Sequence, residues 1–206
     1  MIKTLALAMI GLLPAMAGAA QTPIAMQFAA VLQDPGHHQM VMDAARQSPA
    51  WTHISCAAAS FAPSPEIGVY VPVQFGKDGE PISGAWREGV VASGCGAPIT
   101  LNVLTRITAP ATLATGFLLP GATIADPILQ NYAQSFALKA AGGLPAGCKD
   151  GYIANTEFAG YEGASAAQQT GPWKEIWTLD LCGPPKRVVM HFIVGASSVA
   201  INAVPE

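Results

Sequence analysis

Apolar and polar residues alternate with a period of two from position 67 to 75. Ile67, Val69, Val71, Val73 and Phe75 are interleaved with Gly68, Tyr70, Pro72 and Gln74. That period belongs to a strand with one buried face. Pro72 lacks a ladder donor, so the strand is expected at a sheet edge or with a bulge. Gly76-Lys77-Asp78-Gly79 follows as a hairpin turn, because Asp-Gly tolerates the positive φ of a type I′ turn. Further strands are predicted over 86–93, 99–107 and 112–118. Upstream, the period changes to that of a helix. Asp34-Pro35 pairs a capping side chain with a proline suited to the first helical position. Met40, Val41, Ala44 and Ala45 supply an apolar face, and Ser48-Pro49 stops the helix. Residues 21–33, with Ile24, Met26, Phe28, Val31 and Leu32, predict a short leading helix. Residues 63–65 read as coil.

The same order returns in the second half. Asp126-Pro127 caps a helix whose Ile128, Leu129, Tyr132, Ala133, Phe136, Ala137 and Ala140 fall on one face. Gly142-Gly143 ends it in the manner of a left-handed C-cap. Four strands follow, over 152–158, 173–181, 187–194 and 198–204. Gly84-Ala85-Trp86-Arg87-Glu88 leading to Cys95-Gly96-Ala97-Pro98 is matched, 87 positions on, by Gly171-Pro172-Trp173-Lys174-Glu175 leading to Cys182-Gly183-Pro184-Pro185. Asp34-Pro35 and Cys56 recur 92 positions on, at Asp126-Pro127 and Cys148, and one five-residue difference between the first Cys and the Trp reconciles the two spacings. A register held over so many residues predicts a tandem duplication. The expected fold is α+β: a helix plus a four-stranded antiparallel meander, made twice, with the helices packed on one face of the sheet or sheets. The expected organisation is 1–20 signal peptide, 21–33 N-terminal segment, 34–121 first repeat and 122–206 second repeat, with Leu119-Pro120-Gly121 as the hinge between halves.

This order of elements resembles the tandem helix-plus-four-strand architecture of beta-lactamase inhibitory proteins and, more loosely, cystatin-like folds. The Trp-[Arg/Lys]-Glu…Cys-Gly pattern is similar to that of exported bacterial proteins of unknown function. No inhibitory residue is matched, so the resemblance implies a fold and no activity.

The N-terminus changes the picture of where the protein works. Met1-Ile2-Lys3, an apolar run from Leu5 to Ala15 and the small residues Ala17-Gly18-Ala19-Ala20 have the form of a cleaved secretory signal. The apolar run is shorter than the ~20 residues a membrane span needs, so no span is expected in the mature chain. A periplasmic or secreted location follows. Charged residues make up 11% and apolar ones 51% of the chain, which excludes the signature of disorder. The formal charge of −3, with no Lys/Arg cluster, argues against nucleic acid as a partner. Four cysteines in an exported chain are expected to be oxidised. The repeat register pairs Cys56 with Cys95 and Cys148 with Cys182; no Cys-x-x-Cys or neighbouring His suggests a metal site.

Candidate chemistry centres on the repeated glutamates. Glu88 and Glu175 each lie two residues past a Trp, on a strand face that continues apolar, and two such carboxylates could form an acid/base pair. The competing reading is structural, each carboxylate satisfying backbone amides or a cation. Trp86 and Trp173 are expected as core anchors. Trp51 and Trp177 have no counterpart in the other half and are the candidate binding tryptophans. His37-His38 reads as a solvent-facing pair, and His53 and His191 as isolated structural histidines. No nucleophile elbow, phosphate loop, dinucleotide fingerprint or haem motif occurs, and no cofactor is expected. The expectation is an exported, non-catalytic binding protein of the bacterial envelope, for a protein partner or a small apolar ligand, with residues 63–65 and 160–170 as contact loops. A structural component of an envelope assembly is the first alternative, and a hydrolase using Glu88, Glu175 or a His the second.

Overall fold

Among the described residues, eight strands form two separate four-stranded antiparallel sheets, ordered β1-β2-β3-β4 and β5-β6-β7-β8, and helices precede each. A computed structural model describes residues 22–54, 56–163 and 170–206. The expected leader and residues 164–169 of the expected contact stretch lie outside the described residues. The first unit contains α1 (Ile24–Gln33), α2 (Pro35–Arg46), α3 (Pro49–Thr52), β1 (Ser60–Phe75), β2 (Pro81–Ser93), β3 (Ile99–Ala109) and β4 (Thr112–Phe117). The second contains α4 (Pro127–Ala140), β5 (Tyr152–Tyr161), β6 (Trp173–Asp180), β7 (Lys186–Val194) and β8 (Val199–Pro205). The fold is α+β, as the periodicities require, and the halves do not share a sheet.

Both main helices start where their caps dictate. Asp34 Oδ1 accepts from His37 N at 2.8 Å, and Asp126 Oδ1 accepts from Ile128 N and Leu129 N at 2.8 and 2.9 Å, satisfying amides that have no partner inside the helix. At the far end of α4, Gly142 adopts φ +92°. Gly142 N donates to Lys139 O and Gly143 N to Leu138 O, the pair of bonds that closes a Schellman motif.

The buried face of α4 differs from the one its apolar spacing predicts. Ile128 and Tyr132 are 83% and 59% exposed, while Gln130 is buried. Backbone satisfaction explains the rotation: Gln130 Oε1 accepts from Leu119 N and its Nε2 donates to Ala125 O. A half-buried and a buried peptide group of the connector thus find partners on the helix, and leaving both unpaired would cost about as much as burying an Ile gains, or more.

Strand β1 also departs from expectation. Residues 63–65 are not coil but part of the strand, which runs for 16 residues. Its pairing with β2 slips at four places, and Ile67, Val69 and Val71 remain exposed. α2 packs across β2, β3 and β4, and the helix that meets this edge strand is α1, leaving much of it exposed. Bulges and the prolines at 63, 65 and 72 blunt an edge that would otherwise invite pairing with another chain. The following turn is not type I′, since Gly79 enters the left-handed region at φ +82° and Asp78 does not. Gly79 N instead donates to Gly76 O and Gly76 N to Glu80 O.

The stretch 118–122 is not a free hinge. Asn102 Nδ2 of β3 donates to Leu119 O and Gly121 O at 2.8 and 2.9 Å, and Gly121 N donates to Thr100 O. From the other side, Thr156 Oγ1 of β5 donates to Pro120 O at 2.5 Å and Ala122 N donates to Thr156 O. Gly121 sits at φ +89° so close to β5 that a Cβ would lie 2.1 Å from Thr156 O. Two apolar cores flank this seam. One holds Val41, Ala45, Val90, Leu101 and Val103; the other holds Ala133, Ala137, Trp177, Met190 and Phe192. Cys56–Cys95 and Cys148–Cys182 are bonded, one bridge within each unit. Such bridges belong to an oxidising, extracytoplasmic environment. No described helix is long and apolar enough to cross a membrane.

Candidate functional site

Glu88 and Glu175 occupy like positions on the second strand of their sheets, and each is bonded by the indole two residues before it. Trp86 Nε1 donates to Glu88 Oε1 at 2.8 Å and Trp173 Nε1 to Glu175 Oε1 at 3.0 Å. Successive same-face residues of a strand lie two apart, which brings the indole N–H back onto the carboxylate. The two networks then diverge. Glu175 is 0% exposed; Oε1 also accepts from Ile124 N at 3.0 Å and Oε2 from Trp177 Nε1 at 2.7 Å. Its partners are three neutral N–H groups, and no ion pair reaches it among the described residues. Glu88, with 14% of its side chain exposed, takes His37 Nε2 at 2.7 Å and Thr105 Oγ1 at 3.2 Å on the same Oε1.

The histidine reading needs correction here. His37 is buried, only 1% of its side chain being exposed, and is not solvent-facing; His38 is exposed. A signal was present: His37 lies four, seven and eight positions before Val41, Ala44 and Ala45, the buried stripe of α2. The ring packs 5.8 Å from Trp86, which Phe28 of α1 meets edge-on at 5.1 Å. Nδ1 of His37 is buried without a hydrogen-bond partner. Trp177, expected as a surface binding residue, is fully buried, because its N–H is needed by Glu175 and its ring fills the second core. Trp51 is half-buried against Phe61 at 4.9 Å. His191 is not isolated but contacts Glu162 Oε2 at 3.1 Å.

Sequence reasoning missed a cleft that combines residues of both units. α3, the 117–120 stretch, the start of α4 and the residues leading into β5 enclose a cleft of about 490 Å³. Phe117, Leu119, Pro127 and Ile153 give it apolar walls, and Ser48, His53, Lys149 and Asp150 line it too. His53 is stacked on Tyr152, ring centroids 4.3 Å apart and planes 20° from parallel. Nδ1 of His53 lies 2.8 Å from Pro49 O, which can only accept, so Nδ1 carries a proton, and in the neutral ring Nε2 presents a lone pair. Burial first, and then the Asp180 carboxylate that the hydroxyl meets at 3.3 Å, raise the Tyr152 pKa above its usual value. Ser48 is buried, yet its hydroxyl does not cap α3. Nothing in the sequence foretold the cleft, because its walls come from segments about a hundred positions apart.

Among the described residues no group of three or more His, Cys, Asp or Glu is placed to hold a metal ion. Comparison with protein-family models, with curated proteins and with solved structures gave no match.

Proposed function

We propose that this is an exported, non-catalytic binding protein, its leader removed, that holds a small and largely apolar molecule in the cleft between its two helix-plus-sheet units. The observation that carries the reading is the cleft itself: a lining that mixes apolar side chains with polar and charged ones, at the junction of two units, suits a small molecule with both an apolar part and polar groups. The carboxylates that would serve a hydrolase point the other way. Glu175 spends both oxygens on protein N–H groups, and Glu88 directs its bonded oxygen at His37, Trp86 and Thr105. The matched Trp-x-Glu networks are also what a duplicated scaffold would retain.

Native mass spectrometry of the protein taken gently from its own compartment tests the proposal. A mass excess of a few hundred daltons, lost in a Gln134→Trp variant, is the expected result. Gln134 is an exposed residue lining the cleft, so a Trp there fills the space while leaving the core intact. A bare monomer would count against binding. A second reading, a component of an envelope assembly, draws on the exposed Ile128 and Tyr132 of α4. It predicts a discrete heavier complex in the same experiment.

A further inference from the structure

We infer that the ligand of the cleft is the zwitterion of an apolar α-amino acid, a step that rests on the binding reading above. Lys149 and Asp150 stand side by side in the sequence, both exposed and both lining the cleft. Neither forms an ion pair with the other or with any described residue. Two adjacent, unpaired charges of opposite sign match a ligand that carries an ammonium and a carboxylate on one carbon. A ligand bearing a single charge would satisfy one of them and be repelled by the other.

The remaining groups fit the same molecule. Nε2 of His53 offers a lone pair, held in place by the Nδ1 bond to Pro49 O and by the stack on Tyr152, and suits an ammonium N–H. Ser48 adds a hydroxyl to the cleft wall. It is 1% exposed and lines the cleft, and its hydroxyl neither caps α3 nor bonds another described residue. That hydroxyl can donate to a carboxylate or accept from an ammonium in the cleft. Phe117, Leu119 and Ile153 then receive the side chain of the amino acid. The cleft has room for a large one, since its volume lies within the range of sites that hold drug-sized molecules.

The test is calorimetric titration of the intact protein with L-phenylalanine, phenethylamine, 3-phenylpropanoate and glycine. Phenylalanine is expected to bind. The two analogues that lack one charge should bind roughly tenfold more weakly, as the loss of one charge-assisted contact implies. Glycine, with no side chain for the apolar wall, should give no heat. Lys149→Met should weaken phenylalanine about tenfold and, by removing a like charge, leave phenethylamine bound no more weakly. Asp150→Asn should weaken phenylalanine and, by removing a like charge, leave 3-phenylpropanoate bound no more weakly. Both residues are exposed, so neither substitution endangers folding. Absence of phenylalanine binding, equal affinity for phenethylamine, or indifference to both substitutions would overturn the inference. If phenylalanine fails while the native protein still carries a small molecule that Gln134→Trp removes, only the ligand class falls. If the mass excess is missing as well, the binding reading falls with it.

Discussion

At the residue scale, the two glutamates show how one sequence pattern serves two energetic situations. All the bonds recorded for Glu88 converge on Oε1, from His37, Trp86 and Thr105. A glutamine there can keep its carbonyl oxygen in that position and turn its amide toward the partly exposed edge. Glu175 uses both oxygens, with Ile124 N and Trp173 on one and Trp177 on the other. A glutamine must then set an N–H₂ group against an N–H donor inside a fully buried site. Glu175→Gln is therefore expected to cost about 2 kcal/mol, and Glu88→Gln less than about 1 kcal/mol. Urea unfolding of the two variants reads the difference directly, and equal losses would mean that the oxygen-by-oxygen distinction carries no energy. Spacing disclosed that each Glu shares a face with a Trp. Which donors complete each network was hidden, because His37 and Ile124 lie 51 positions from their glutamates and reach them only through the packing of α2 and of the connector.

At the scale of elements, period and caps were readable, and the facing of elements was not. The alternation in β1 gave a strand, and Asp34 and Asp126 gave two helix starts, since these are local decisions made by backbone sterics and orphan amides. Which side of β1 is covered depends on where α2 lies, and α2 sits over β2, β3 and above all β4, away from β1. An apolar row thus ended in solvent, with Val69 52% exposed, while Val90 on the neighbouring strand is fully buried. Val69→Lys should change stability by no more than about 0.5 kcal/mol, as surface substitutions do. Val90→Ala should cost about 2 kcal/mol through lost burial and the cavity left behind. Thermal unfolding of the pair is the measurement, and a large loss on Val69→Lys would mean that the edge is covered in solution. α4 repeats the lesson. Its apolar count marked a helix, but the demand of two connector peptide groups for Gln130 chose the side that turns inward.

At the scale of the whole molecule, the open question is whether two units with separate sheets and separate cores unfold together. Each disulfide lies inside one unit, closing a loop of 39 or 34 residues' separation, so each contributes about 4 kcal/mol to its own unit in the chain-entropy model and nothing to the seam. Coupling must come from the connector. Asn102 holds it to the first sheet through two carbonyls, Thr156 holds it to the second through Pro120 O, and the amide of Ala122 returns a bond to Thr156 O. Asn102, Thr156 and Pro120 are buried and the Leu119 and Gly121 carbonyls half-buried, so opening the seam without unfolding either unit would part these polar groups from their partners until water replaced them. A single cooperative transition follows, with equal calorimetric and van 't Hoff enthalpies. Asn102→Ala removes two of the bonds and is expected to lower that one transition by about 2–3 kcal/mol of stability. Differential scanning calorimetry of both proteins decides the matter. Two resolved transitions in the parent protein would show that the units are energetically independent, and a cleft built from both of them would then lack the fixed walls that ligand binding there requires.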